Sequence, residues 1–387
     1  MPSEVCQRAI DAAVDNRSAI LKFISPNDAG LTKSHQYGFL LPHDAWELFT
    51  PDAPVKGENK DHPVRVLWHD GRVTDSMVKW YGAAKSEYRL TRFGEHFPHR
   101  TPDAVGNLLV LVPRSLSDFE AYVLSAEKDI DEVIVALNVS FVRGCGVYDP
   151  SQPPLDPADP LDLRFRRFVE GLSAFPTGDQ FTAYTRESLL ACRPRFSSWT
   201  ADRKVLHGWR AEFALFKMVE SHLVLPAVRG PFDSIEAYLV PAKSVTGRRA
   251  TRAGRSLENH VDLALWDAGI LHEMSRRVKG MADCTVPTVE AFKNSSFPED
   301  RLFGIAMKTT LKERWKQVVY ESPRVRRKYL LTLQDGMPAQ TLREMREADV
   351  TLIVPEELHS EYPMPERDAL LSVEALFAVL RSAALAP

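Results

Sequence analysis

The chain is poor in cysteine: four in 387 residues, at positions 6, 145, 192 and 284, with no C-x-x-C pair and no histidines at zinc-finger spacing. Neither a disulfide framework nor a structural zinc site can therefore organise the fold, and a reducing cytosol suits the composition. No window approaches eighteen uninterrupted apolar residues, and the opening stretch MPSEVCQRAIDAAVDNRSAI carries acids but no apolar core segment. Membrane insertion and export are not expected, which makes the cytoplasm the expected location. Charge of one sign is not in excess either, since 49 Lys and Arg face 52 Asp and Glu for a formal net charge of -3. A uniformly basic surface is excluded, whereas local basic patches are not. What remains is ordinary globular material, 44% hydrophobic and 26% charged, at a length that favours two domains.

The boundary between them is marked by YDPSQPPLDPADPLDL, where prolines 150, 153, 154, 157 and 160 stand among Asp149, Asp156, Asp159 and Asp162. Proline fixes φ and removes a donor, so the expected organisation is a domain over 1–150, a stiff linker over 151–164 and a second domain over 165–387. Before the linker, strand-length runs dominate: Ile20 to Ile24, VRVLWHD, RVTDSMVKWYG, EYRLTRF, NLLVLVP and EVIVALNV, with helices expected at SEVCQRAIDAAV, HDAWELF and SLSDFEAYVLSA. Beyond it the period becomes helical in LDLRFRRFVEGL, TADRKVLHGWRAEFALFKMVESHL, FDSIEAYLVPAKSV and SLENHVDLALWDAGILHEMSRR. A mixed block follows, with strands in DCTVP, RLFGIAMKTT, KYLLTLQ and VTLIVP separated by helices TVEAFKN, LKERWKQVVYE and AQTLREMREA. Alternation of buried strands with helices indicates an α/β core.

Four residues in this second half carry chemistry: Glu258, Asp283, Lys308 and Glu321. Asp283 opens one apolar strand, and Lys308 closes another twenty-five positions later. That spacing can place a carboxylate and an ammonium at the ends of neighbouring strands. Phosphodiester hydrolysis uses such a set, with carboxylates to hold a hard divalent cation such as Mg2+ and a lysine to orient water or offset developing charge. The simple nuclease pattern would put an acid two positions before the lysine, where this chain has Ala306. Glu321, thirteen positions after Lys308, can return a carboxylate to the same place from the following helix, and Lys312 adds charge one helical turn beyond Lys308. Taken singly, Asp283 also reads as a strand-start residue, and Glu258 and Glu321 as solvated helix residues.

Charge is distributed in favour of the chemical reading. Residues 242–255 carry Lys243, Arg248, Arg249, Arg252 and Arg255 with no acid, and residues 308–328 hold eight Lys or Arg against Glu313 and Glu321. A phosphate backbone supplies the natural counter-charge, and Arg252 and Arg255 are candidates for bidentate contacts to guanine edges. For any one arginine a solvated helix surface is the plainer explanation.

With these segments in view, the second half resembles the catalytic domain of the EcoRII restriction endonuclease family, through RATRAGRSLENH, ADCTVPTVEAF, MKTTLKERWKQV and LLTLQDGMPAQTLREMREADVTLIVPEELHSEYP. The resemblance implies an α/β domain of the restriction-endonuclease-like, PD-(D/E)xK kind, with Glu258, Asp283, Lys308 and Glu321 as its active set, Lys312 as an added lysine, and the second carboxylate moved to the helix after the lysine, which accounts for Ala306. FISPNDAGLTKSHQYGFLLP and LWHDGRVTDSMVKWYGAAKSEYRLTRFG are similar to that family's N-terminal effector domain, a mostly-β DNA-binding pseudobarrel. In such a fold two arms grip the major groove. Here one arm would offer Lys33, His35 and Tyr37, the other Lys85, Glu87, Arg89 and Arg92.

The resemblance further implies a magnesium-dependent type II endonuclease that acts as a homodimer on double-stranded DNA at CCWGG-like sites, with activity controlled by effector-domain binding of a second site. In that reading Asp283, Glu321 and Glu258 hold Mg2+ and Lys308 positions the attacking water. Two other readings stay open at this stage: a DNA-binding regulator with a degenerate nuclease domain, and a lesion or mismatch repair nuclease of related fold.

Overall fold

The computed structural model of the chain describes residues 2–31, 38–140, 144–275, 278–312, 314–325 and 327–385. Two compact units make up the chain: one runs as far as Gln152 and takes in Asp335–Leu342 and Ser360–Met364, and the other comprises the rest. The first contains α1 (Glu4–Asn16), β1 (Ala19–Phe23), β2 (Phe39–Leu41), β3 (Asn59–Trp68), β4 (Val73–Tyr81), β5 (Tyr88–Thr91), β6 (Leu108–Pro113), β7 (Asp118–Leu124), α2 (Glu127–Leu137) and β8 (Cys145–Tyr148). Its eight strands form one sheet in the order β2-β5-β4-β3-β7-β6-β1-β8, and β2 and β8 come back into contact, so the sheet is nearly closed and barrel-like. All strand pairs are antiparallel except β3 with β7.

Alternation along the strands builds two cores in this unit. Phe119, Ala121 and Val123 of β7 join Ile20, Phe39, Val66, Trp68, Trp80 and Leu90 inside the barrel. Tyr122 and Leu124 of the same strand face outward to pack with Leu21, Val110, Ala9 and Val133 under α1 and α2. Two sequence expectations are corrected here. SLSDFEAYVLSA, expected as a helix, is β7, because a tight turn in which Ser115 and Ser117 donate to the Asp118 carboxylate reverses the chain into strand alternation. EVIVALNV, expected as a strand, belongs to α2, whose Ile130, Val133 and Leu137 recur at helical spacing and whose Glu127 and Asp129 suit a first turn.

In the second unit lie α3 (Pro160–Glu170), α4 (Gly178–Cys192), α5 (Ala201–Leu223), α6 (Leu225–Arg229), α7 (Ile235–Asp267), β9 (Glu273–Met274), β10 (Cys284–Val286), α8 (Val289–Lys293), β11 (Phe303–Lys308), α9 (Trp315–Val318), β12 (Lys328–Thr332), α10 (Ala339–Glu347, shared with the first unit), β13 (Val350–Ile353) and α11 (Val373–Leu385). The last residues of the Pro/Asp-rich stretch form the start of α3, where Asp159 accepts from the Leu161 N–H as N-cap and Pro160 takes the first helical position. The two helices expected on either side of the basic stretch 242–255 are one continuous helix, α7, so that stretch is helical throughout and Pro241 lies inside it. By contrast, the long helix expected over LKERWKQVVYE shrinks to the single turn of α9. The Leu311 N–H is diverted to the Gln334 side chain, and Glu321 closes a tight turn onto the Val318 carbonyl before Ser322 adopts a φ of 47°.

The five-stranded sheet has the order β13-β12-β11-β10-β9. β11, β12 and β13 run parallel, whereas β10 is antiparallel to both β11 and β9. β12 is buried along its whole length, as expected of a parallel strand covered on both faces. Because β10 and β11 run in opposite directions, the beginning of the first and the end of the second lie at the same end of the sheet.

Candidate active site and nucleic-acid contacts

That topology delivers Asp283 and Lys308 to one place, since Asp283 immediately precedes β10 and Lys308 is the last residue of β11. The Asp283 Oδ2 accepts from the Lys308 Nζ at 3.0 Å and from the Met307 N–H at 2.7 Å. Each of the two side chains is 22% exposed, so the ion pair is neither dry nor fully solvated and can be approached from outside. Ala306, by comparison, is fully buried and offers no ligand.

Glu321 follows α9 with its side chain half-buried. Its Oε2 is sealed from solvent and has no hydrogen-bond partner among the described residues. Burial raises the carboxyl pKa above the usual range; Lys308 pulls it back, Asp283 pushes it further up, and Lys328 again opposes the rise. Glu321 thus senses both members of the Asp283–Lys308 pair. A buried carboxylate oxygen without a donor is unfavourable in isolation, and two carboxylates beside one lysine provide hard oxygen ligands of the type Mg2+ takes, one or two from protein with water and phosphate for the rest. The residues present therefore fit such a cation.

The structure does not unite all the sequence candidates. No group of three or more His, Cys, Asp or Glu side chains suited to a metal ion occurs among the described residues, so Glu258 is not drawn into one carboxylate cluster with Asp283 and Glu321. It sits half-buried on α7, the helix that packs against β11. Lys312 lies in the turn between β11 and α9, also half-buried. Residues that sequence reasoning missed stand around Glu321. The Ser322 Oγ accepts from the Ala282 N–H, and the Lys328 Nζ donates to the carbonyls of Glu321 and Ser322. Burial lowers the Lys328 pKa, with Glu321 opposing.

The candidate DNA contacts divide sharply. Lys33, His35 and Tyr37 lie outside the described residues. Lys85 and Arg92 are exposed, the first in the turn between β4 and β5 and the second just after β5. Arg89 is not on a solvated face: it is 3% exposed, donates to the Glu87 carboxylate at 2.9 Å and to the Gly38 carbonyl at 3.0 Å, and stands 4.0 Å from Asp28. Glu87 is half-buried and occupied by that arginine. Asp28 in turn pairs with the buried Lys22 at 3.1 Å. Arg89 thus belongs to an internal charge network, which corrects its expected place in a DNA-gripping arm.

Arg252 is corrected in the same sense. Its guanidinium lies 4.1 Å from the Phe213 ring centroid, with Trp209 and Phe216 at 5.6 and 5.5 Å, and its Nε and Nη1 are sealed from solvent. Burial lowers its pKa to about 10. Most of this cation is spent on the packing of α5 against α7, not on base edges. Arg255 is exposed, 3.6 Å from the Asp179 carboxylate.

Residues 216–377 match the family model described as EcoRII C terminal, and residues 13–151 match that for the N-terminal part of restriction endonuclease EcoRII. The chain is 27% identical over 392 residues to the type II restriction enzyme EcoRII of Escherichia coli, covering 96% of each chain. It is 27% identical over 143 residues to the type II restriction enzyme SsoII of Shigella sonnei, covering 32% of this chain and 46% of that one. Among solved structures, metal-depleted Ecl18kI in complex with uncleaved DNA aligns with a TM-score of 0.43 and 21% identity over 59% of this chain and 85% of that one. The same protein with uncleaved, modified DNA gives 0.44 and 19%, over 58% and 84%. No helix among the described residues is long and apolar enough to cross a membrane.

Proposed function

The chain belongs to the EcoRII restriction endonuclease family, whose members include type II restriction enzymes, and from that premise we propose that it is a Mg2+-dependent, site-specific endonuclease acting on double-stranded DNA. The observation that carries the proposal is the meeting of Asp283 and Lys308 with Glu321, whose buried Oε2 has no hydrogen-bond partner among the described residues, at one end of the second sheet. In this reading Asp283 and Glu321 hold Mg2+, with Glu258 in an outlying role on α7. The cation, when bound, polarises the phosphate and lowers the pKa of water. Asp283 fixes the Lys308 ammonium at the edge of β11, where it orients the attacking water and offsets charge on the phosphate. Lys312, four residues on, strengthens the local positive potential.

Finer features of the proposal follow the family. The barrel-like unit is a pseudobarrel effector domain over 1–150, joined through 151–164 to a PD-(D/E)xK catalytic domain over 165–387. Lys85 and Arg92, with Lys33, His35 and Tyr37, contact DNA from the first; Arg255 does so from the second. The enzyme acts in the cytoplasm as a homodimer at CCWGG-like sites, two-fold protein symmetry matching that of the site, and binding of a second site at the effector domain controls cleavage. Incubation of the purified protein with phage DNA and Mg2+ tests the proposal. Discrete, sequence-defined ends are expected. Binding without cutting would leave a regulator, and nicking confined to lesions or mismatches a repair nuclease.

A further inference from the structure

Three elements converge on Ser322. The residue is 1% exposed and holds a φ of 47°, which side-chain-bearing residues rarely adopt. Its Oγ accepts from the Ala282 N–H at 2.9 Å, and its own N–H donates to the Gly280 carbonyl at 2.7 Å. From β12, the Lys328 Nζ gathers the carbonyls of Glu321 and Ser322 at 2.6 and 2.5 Å. On β11, Gly304 leaves the necessary room: a Cβ there would stand 3.0 Å from the Ser322 Oγ, 3.2 Å from its Cβ and 3.3 Å from the Ala282 Cβ. Ser322 neighbours Glu321 in the chain as Ala282 neighbours Asp283. A single hydroxyl therefore ties together the two segments that carry the carboxylates, and does so from inside the protein, where it touches neither the phosphate nor the water.

We propose that Ser322 is a positioning residue that sets the Glu321 carboxylate against Asp283, and that Gly304 and Lys328 serve the same tie. The functional consequence, though not the geometry, rests on the nuclease reading above. With the tie cut, the loop after α9 keeps its place in the chain but loses its register against the start of β10, so the two oxygen donors no longer present one site to the cation.

Ser322→Ala removes the hydroxyl, and Gly304→Ala crowds it without removing it. Mg2+ binding is measured calorimetrically in the absence of DNA, cleavage is measured as a function of Mg2+ concentration, and DNA affinity is measured without metal. For each variant the expected result is Mg2+ binding weakened about 10-fold or more, as for other groups that orient metal ligands. Cleavage should be recovered at raised Mg2+, and DNA affinity unchanged. A lowered melting temperature with normal Mg2+ affinity in both variants would make Ser322 a stability residue and overturn the inference. If Ser322→Ala does not fold, the Gly304→Ala result decides alone. Wild-type protein that neither binds Mg2+ nor cuts DNA would overturn the nuclease reading itself, whereas a competent wild type matched by both variants overturns only the role of Ser322.

Discussion

The Asp283–Lys308 pair lends itself to a double-mutant cycle, with Asp283→Asn, Lys308→Met and the double variant compared with wild type. Asp283 receives two N–H donors, one charged, at 2.7 and 3.0 Å, and both side chains are 22% exposed. A hydrogen bond between charged groups contributes about 1.5–3 kcal/mol when well shielded, and the partial exposure reduces it, so the expected coupling is about 1–2 kcal/mol. Each single variant leaves the other charge half-buried without its counter-ion. The double variant is therefore expected to be more stable than the sum of the single losses allows, because an ion pair replaced as a whole costs less than one broken in half. Urea unfolding of the second unit measures the energies, with 1 kcal/mol corresponding to roughly 2–4 °C in melting temperature for a unit of this size. Plasmid cleavage by each single variant should fall by at least about 100-fold, the scale of losing one group that stabilises transition-state charge. Stabilities that add to within about 0.5 kcal/mol would show that the two side chains do not interact, and cleavage at wild-type rate in either single variant would remove the pair from the chemistry.

Other outcomes follow from the first unit and from the division of the chain. Arg89→Ala should destabilise the barrel by about 1–3 kcal/mol, the scale for leaving the Gly38 carbonyl, a buried acceptor, without its donor, while Lys85→Ala leaves the melting temperature unchanged and lowers the salt dependence of DNA binding by about one unit of log–log slope. Equal effects of the two on stability would contradict the burial assigned to Arg89. His99 packs against Trp68, Phe97 and His69, and burial lowers its pKa to about 4, with His69 adding to the shift. The folded state thus resists its protonation. Stability of the first unit should hold above about pH 6.5, the ordinary histidine value, and decline as the pH falls toward 4. In His99→Phe that slope should flatten, and an unchanged pH profile of unfolding would rule the residue out. A chain truncated to residues 165–387 should cut single-site DNA faster than the full chain, and equal or slower cutting would refute control by the first unit.

Much of the second unit was legible in the sequence because its strands are apolar runs closed by charges. The same charges at run ends marked Asp283 and Lys308, and the missing acid at position 306 turned attention to Glu321, thirteen positions beyond Lys308. Legibility failed where one segment supports two periods. FEAYVLSA and EVIVALNV fit a helix and a strand almost equally well by composition, and pairing within the barrel decided between them. Helix α4 passed unnoticed although Thr177 and Gln180 form a reciprocal capping box, which is a readable N-terminal signal. The arginines were misplaced for a different reason. Nothing near Arg89 in the chain announces Asp28, sixty-one positions away, and the rings around Arg252 come from a separate helix. Ser322 and Gly304 left no mark at all, because a small residue's role depends on a backbone angle and a contact that appear only in the folded chain.

The opposed directions of β10 and β11 have a consequence for how the chain can change over time. Asp283, Lys308 and Glu321, with Ser322 and Gly304, fall within forty consecutive residues, and the hydrogen bonds that join these segments span no more than forty positions. Such a stretch behaves as a cassette: its contacts are more local than pairings between distant parts of the chain and so are among those able to form earlier in folding, and the hydrogen bonds that join it are made by no residue of the barrel-like unit's strands. On the proposed reading, target choice can change in the barrel-like unit while the residues assigned to cutting keep their contacts with one another.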